Sequence, residues 1–158
     1  MRAYADTSFL VKLLTQEPGT NTAVADYRRL GRPPLFFLPL HGLEVANAVR
    51  QRAFHQRHTI SSSDRPAIKW ERDRSLALLH KLISRRVFVE ISHDMDSAID
   101  LARSLSERNT ERLGCRGFDL LHVALALELE SEAFLTSDRI QGTLARAEGL
   151  AVTISADK

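Results

Sequence analysis

Tyr4-Ala5-Asp6-Thr7-Ser8 decides how this chain reads. Arg2 to Ala5 reads as a short strand, and Phe9-Leu10-Val11 with Leu13-Leu14 as an apolar helix. Thr7 or Ser8 is suited to cap that helix, since a side-chain oxygen there can accept an N–H of the first turn. Asp6 is then left at the carboxyl end of a strand, where open α/β sheets bind their ligands. Aspartate is also common in turns, so the stretch alone leaves open whether Asp6 does more than turn the chain.

Outward from there, strand and helix alternate. Pro18-Gly19-Thr20 breaks the chain, and Thr20 or Asn21 can cap a helix through about Leu30, stopped by Gly31-Arg32-Pro33-Pro34. Leu35-Phe36-Phe37-Leu38 is a wholly apolar strand of the buried parallel kind. A long helix runs from about Leu40 to His58, with Gly42, Val45, Ala46, Val49 and Ala53 as its apolar stripe. Asp64 and Pro66 start another, through about Arg86. Val87 to Ile91 is a third strand. Asp94 caps a helix to about Arg108, and Asn109 to Arg116 reads as a polar loop. A helix over Phe118–Glu130, a strand over Ala133–Thr136, a helix over Ile140–Ala147 and a strand over Ala151–Ile154 complete the order. Strands separated by helices imply a parallel sheet covered on both faces.

The 158 residues suit one domain spanning 1–158, large enough to bury a core without staples. At 44% hydrophobic and 27% charged, the composition is that of an ordinary globular protein. No apolar run reaches membrane-spanning length, and Asp6 and Lys12 flank too short an apolar stretch for a signal peptide. With Cys115 alone no internal disulfide forms; a cytoplasmic location and a buried, inert thiol are the expectations. Net charge is +2, and 18 of the 22 basic residues are arginine. That bias permits a nucleic-acid partner without demanding one.

Four acids share a location. Asp119 and His122 are the only polar residues of the Phe118–Glu130 helix before Glu128. They lie three apart, on one side of a helix that is otherwise apolar all round. A carboxylate there either caps the helix or needs a cation or basic neighbour. His122 reads as a satisfied core histidine or a further ligand. Glu44 falls on the solvent side of its helix by pattern, yet it sits in the first turns after an apolar strand. Asp138 follows the strand that ends at Thr136, where it can also cap the last helix. Asp6, Glu44, Asp119 and Asp138 thus map to one edge of the sheet. Carboxylates gathered without matching bases repel each other unless a cation lies among them. All-oxygen ligation suits Mg²⁺ or Mn²⁺, and with them phosphodiester hydrolysis.

At this point the chain resembles the PIN-domain ribonucleases, and within them the VapC-type toxins of toxin–antitoxin pairs. The resemblance is carried by Ala5-Asp6-Thr7-Ser8, Leu43-Glu44-Val45-Ala46-Asn47-Ala48, Phe118-Asp119-Leu120-Leu121-His122-Val123-Ala124 and Leu135-Thr136-Ser137-Asp138-Arg139. It implies a PIN-like three-layer α/β/α fold with a central parallel five-stranded sheet and one acidic metal pocket. By the family pattern Asp6, Glu44 and Asp119 hold Mg²⁺ or Mn²⁺, and Asp138 completes the catalytic set. Thr7, Ser8 and Thr136 support the carboxylates. His122 is similar to a histidine frequent in the family, with no catalytic role carried over. The resemblance also implies an RNA substrate, a homodimer and a cognate antitoxin whose tail enters a groove near the site. The helices Leu40–His58 and Asp64–Arg86 are candidate walls for that groove. Trp70 is either its anchor or a half-buried core residue. Lys12, Arg50, Arg116 and Arg139 are candidates for RNA phosphates.

Two other functions stay open. A phosphatase using an aspartyl phosphate on Asp6 would want an acid two residues on, and Ser8 stands there. A catalytically silent PIN-fold module that binds RNA or protein would have no need of four convergent carboxylates.

Overall fold

The central strand is the first. In this computed structural model, which describes residues 1–155, β1 (Ala3–Ala5) lies between β2 (Leu35–Phe37) and β4 (Ala133–Thr136). With β3 (Phe88–Glu90) and β5 (Val152–Ile154) they form one all-parallel sheet in the order β3-β2-β1-β4-β5. Register sets Ala3 opposite both Leu35 and Ala133, and Tyr4 opposite Phe134. Connections leave β1 toward β2 and β3, then return to its other side at β4. The order therefore reverses between β1 and β4, and a crevice opens beyond their carboxyl ends.

Seven α-helices cover the sheet among the described residues: α1 (Thr7–Leu14), α2 (Thr20–Arg29), α3 (Pro39–Thr59), α4 (Arg65–Ser84), α5 (Met95–Leu113), α6 (Gly117–Glu128) and α7 (Arg139–Ala147). Alternate strand residues face opposite layers, as the pleat requires. Ala3, Ala5, Leu35, Phe37 and Leu135 pack with Phe9, Leu10, Val45 and Leu79 on one side. Tyr4 and Phe134 pack with Val123, Leu125 and Leu144 on the other. Phe9, Phe88 and Phe134 are fully buried, and each such burial stabilises by about 1.5–3 kcal/mol. α7 lies directly on the sheet because position 142 is glycine: a Cβ there would fall 2.5 Å from Ile154 Cδ1 and 3.3 Å from Thr136 Cγ2.

Several expectations need correction. The cap of α1 is Asp6 itself, whose carboxylate accepts from Phe9 N at 2.9 Å; Thr7 and Ser8 lie within the first turn. Gly19, not Thr20 or Asn21, holds the cap position of α2. The stretch read as a loop over 109–116 is helical to Leu113, where Gly114 at φ +70° ends α5. Asn109 is buried there, its amide donating to Leu105 O and Glu148 Oε1, so its polarity marks an internal bond rather than a loop. Trp70 is 66% exposed and no part of the core, with the Arg74 guanidinium 5.6 Å from its ring centre. Cys115 is buried, as expected of a lone inert thiol. Among the described residues no helix is long and apolar enough to cross a membrane.

Candidate active site

Asp6 leaves the end of β1 at the reversal of strand order and is 3% exposed. Its carboxylate is held from three directions. Phe9 N donates from the helix it caps, the Ser8 hydroxyl lies 2.8 Å from both oxygens, and Thr136 Oγ1 donates to Oδ2 at 2.8 Å. The two hydroxyls also close the crevice, since Ser8 Oγ accepts from Ser137 N and Thr136 Oγ1 from Asp138 N, each at 2.9 Å. Thr136 and Ser8 thus stitch β1 to β4 through the acid. Burial raises the Asp6 pKa above its ordinary value, although His122 and the donated hydrogen bonds oppose the shift. Its bonded partners are all neutral.

Glu44, read by pattern as a solvent residue, is partly buried, with hydrogen-bond partners on both α6 and α1. His122 Nε2 lies 2.7 Å from Glu44 Oε2, and Thr7 Oγ1 donates to the same oxygen at 2.8 Å. An ionised carboxylate only accepts, so Nε2 carries the ring proton. In the neutral ring Nδ1 then accepts from the Tyr4 hydroxyl, 2.7 Å away. Tyr4 is fully buried and His122 nearly so. A strand residue therefore fixes the tautomer of a helix residue, which fixes Glu44. Burial works to raise the Glu44 pKa, but the His122 bond and charge, with Thr7, hold it below the usual range. Of the two readings of His122, the satisfied core histidine matches its place, and it holds Glu44 as well. Tyr4→Phe is expected to leave Nδ1 buried without a donor and to lower stability by about 1–3 kcal/mol, measured by urea unfolding.

Asp119 caps its own helix: Oδ2 accepts from Arg116 N at 3.0 Å. It also lines a cavity of about 650 Å³ with Glu44, Arg116, Phe118 and Leu121. Burial raises its pKa; the Arg116 hydrogen bond lowers it and the neighbouring Asp138 charge raises it again. Asp138 caps α7, accepting from Ile140 N at 2.7 Å and Gln141 N at 3.1 Å. The capping possibility raised for each of these two acids is thus realised, and capping leaves both carboxylates at the same edge. Arg116 places a basic group at the cavity. Arg50 is exposed on α3, while Lys12 is buried, its Nζ 3.4 Å from Ser155 O.

Among the described residues, no three His, Cys, Asp or Glu side chains stand together as a ready cation cage. The carboxylates here turn toward the donors just described. The donor set is nonetheless carboxylate and hydroxyl oxygen throughout, with one acid buried among neutral partners and two others repelling each other. That chemistry fits a hard divalent cation.

His41, which the sequence reading passed over, is buried beside this site. It is the third residue of α3, and its Nδ1 accepts from Leu38 N at 3.0 Å. Its ring lies 5.1 Å from that of His122 and 5.0 Å from that of Tyr4. Among the described residues Nε2 has no partner in good hydrogen-bond geometry. Burial first, then the His122 charge, push the His41 pKa down to about 3, the Ala5 carbonyl opposing. The signal that could have found it is its spacing from Leu38, since a side chain at the third helical position can accept the N–H of the cap residue.

The family described as PIN domain matches residues 3–149. The crystal structure of PAE2754 from Pyrobaculum aerophilum is similar over 96% of this chain and 89% of that one, at 16% identity and a TM-score of 0.55. At that identity the likeness speaks for the fold alone. No curated protein matches the sequence.

Proposed function

The chain belongs to the PIN-domain family, generally a nuclease fold, and on that premise we propose that it is a divalent-cation-dependent endoribonuclease, the toxin of a VapC-type toxin–antitoxin pair. The observation that carries the reading is the buried Asp6 carboxylate at the reversal of strand order, with Glu44 and Asp119 together lining one cavity. Asp6, Glu44 and Asp119 would hold Mg²⁺ or Mn²⁺, and Asp138 would complete the acidic set. When bound, such an ion supplies positive charge against that developing on a phosphodiester and lowers the pKa of water.

The chain's own residues position and hold. Ser8, Thr136 and Phe9 N keep Asp6 in one orientation, and Thr7 and His122 do the same for Glu44. Arg116 offers a guanidinium to a phosphate at the cavity. The ordered set of four motifs supports the toxin role, and with it a homodimer, a cognate antitoxin and a cytoplasmic site of action.

The test is cleavage of a mixed cellular RNA pool by the purified chain, with Mn²⁺ and with EDTA. Cleavage that needs the ion is expected. Mn²⁺ at a hundred times its Kd should also stabilise the fold by about 2.7 kcal/mol, read as a rise in unfolding midpoint. A folded, partner-free chain that neither cuts nor responds to Mn²⁺ would be a silent binding module instead.

A further inference from the structure

One face of α3 is unlike the rest of the surface. Leu43, Asn47, Arg50, Phe54 and Arg57 recur at spacings of four and three, so they form one stripe along the helix. All five are exposed, Leu43 at 70% and Phe54 at 50%, while α3 buries Val45, Val49 and Ala53 on another side. The stripe begins beside Glu44, at the acidic cavity. It runs about 20 Å from there at the helical rise. No acidic residue occurs from 45 to 63, in a chain with 20 of them.

Among the described residues neither Arg50 nor Arg57 forms an ion pair, and the Arg57 guanidinium lies 6.0 Å from the centre of the Phe54 ring. Arg52, on a different side of the same helix, pairs with Glu17 at 3.1 Å and Glu71 at 3.5 Å and is structural. Cations without an acidic partner, beside a half-exposed aromatic ring that His55 and His58 meet in T-shaped contacts, suit a polyanion with flat bases: phosphates on the arginines, an unpaired base on the phenylalanine. A second copy of the chain, related by a two-fold axis, would instead bring this positive stripe against its own positive charge.

We propose that this face of α3 is a track for single-stranded RNA, feeding the strand to the acidic cavity; it takes its substrate class from the nuclease reading above. The test is anisotropy of a labelled, unstructured 20-nucleotide RNA, in EDTA so that it stays whole, from 50 to 200 mM salt. For Arg50→Ala with Arg57→Ala, affinity at low salt should fall at least tenfold. The log–log salt slope should flatten by about 1.4, or 0.7 per lost phosphate contact. Phe54→Ala should weaken binding about tenfold and leave the slope unchanged, the signature of lost stacking.

Circular dichroism melting checks that the variants stay folded. Folded variants with wild-type affinity and slope would overturn the track. So would sedimentation showing that the substitutions convert a dimer to monomers, which would make the stripe a self-interface. Wild-type cleavage, assayed separately with Mn²⁺, keeps the two failures apart. A chain that cuts RNA but ignores the stripe loses only the track. One that needs the stripe to bind yet never cuts loses only the nuclease reading.

Discussion

Asp6→Asn is expected to lower RNA cleavage by on the order of 10³-fold or more while the fold holds, because several kcal/mol of transition-state stabilisation depend on a charge at this position. The substitution keeps the shape. An amide oxygen can still accept from Phe9 N and so preserve the cap of α1. What goes is the negative charge, and burial makes that charge costly. The Asp6 pKa is raised in the fold, so its penalty is absent at low pH and appears as pH rises from the ordinary value through the raised one. At neutral pH the wild type bears it and the asparagine variant does not. Without divalent ions the variant should therefore melt no lower than the wild type, and it should lose the response to Mn²⁺. Asp6→Ala differs: it also removes the cap, at about 0.5–2 kcal/mol, and strands the Ser8 and Thr136 hydroxyls. Melting curves with EDTA and with Mn²⁺, beside cleavage rates, check the prediction. Wild-type cleavage by the asparagine variant would remove Asp6 from the chemistry.

Acid should unfold this protein through His41. Its folded pKa is about 3, far below that of an exposed histidine. The unfolded chain therefore binds a proton near pH 6.5 that the folded chain refuses. Stability is complete above 6.5 and is lost as pH falls toward 3, by about 1.4 kcal/mol per pH unit and roughly 5 kcal/mol in all. The pKa of Glu44 is lowered, so its contribution disappears only further down, as pH falls through that lowered value. Urea unfolding between pH 7 and pH 5 reads the histidine, where about 2 kcal/mol should go, and the Asp6→Asn background removes the opposing gain from the buried carboxylate. His41→Gln should flatten the profile. If its pH dependence matched the wild type's, the loss would belong to another group.

Most of the architecture was readable because local signals agreed. Leu35-Phe36-Phe37 and Ala133-Phe134-Leu135 are apolar runs bounded by breakers, and such runs become central parallel strands. Strand order was not readable locally. It depends on β4 pairing beside β1 across some 130 residues; the alternation implied a parallel sheet and the resemblance its five strands, and neither gave their order. The acids at strand ends were found because position, not burial, identifies them. Glu44 shows where pattern fails: a helical wheel knows only its own helix, whereas the partners of Glu44, His122 and Thr7, lie on α6 and α1. His122 was placed correctly as a satisfied side chain, but its partners Tyr4 and Glu44 lie on other elements. Trp70 misled by its size, since a large apolar ring on a helix reads as core until the layers are known.

The pairing of β1 with β4 has a consequence for synthesis. A ribosome makes Asp6 well before Thr136, and at 5–20 residues per second roughly 5 to 20 s separate β2 from β4. During that interval the nascent chain holds a central strand with one open edge, and Asp6 lacks the hydroxyl that β4 brings to it. The acidic cavity cannot form before α6 either, because Asp119 lies on it. The order of the chain therefore acts as a timer, withholding the assembled cavity until α6 and β4 have been made.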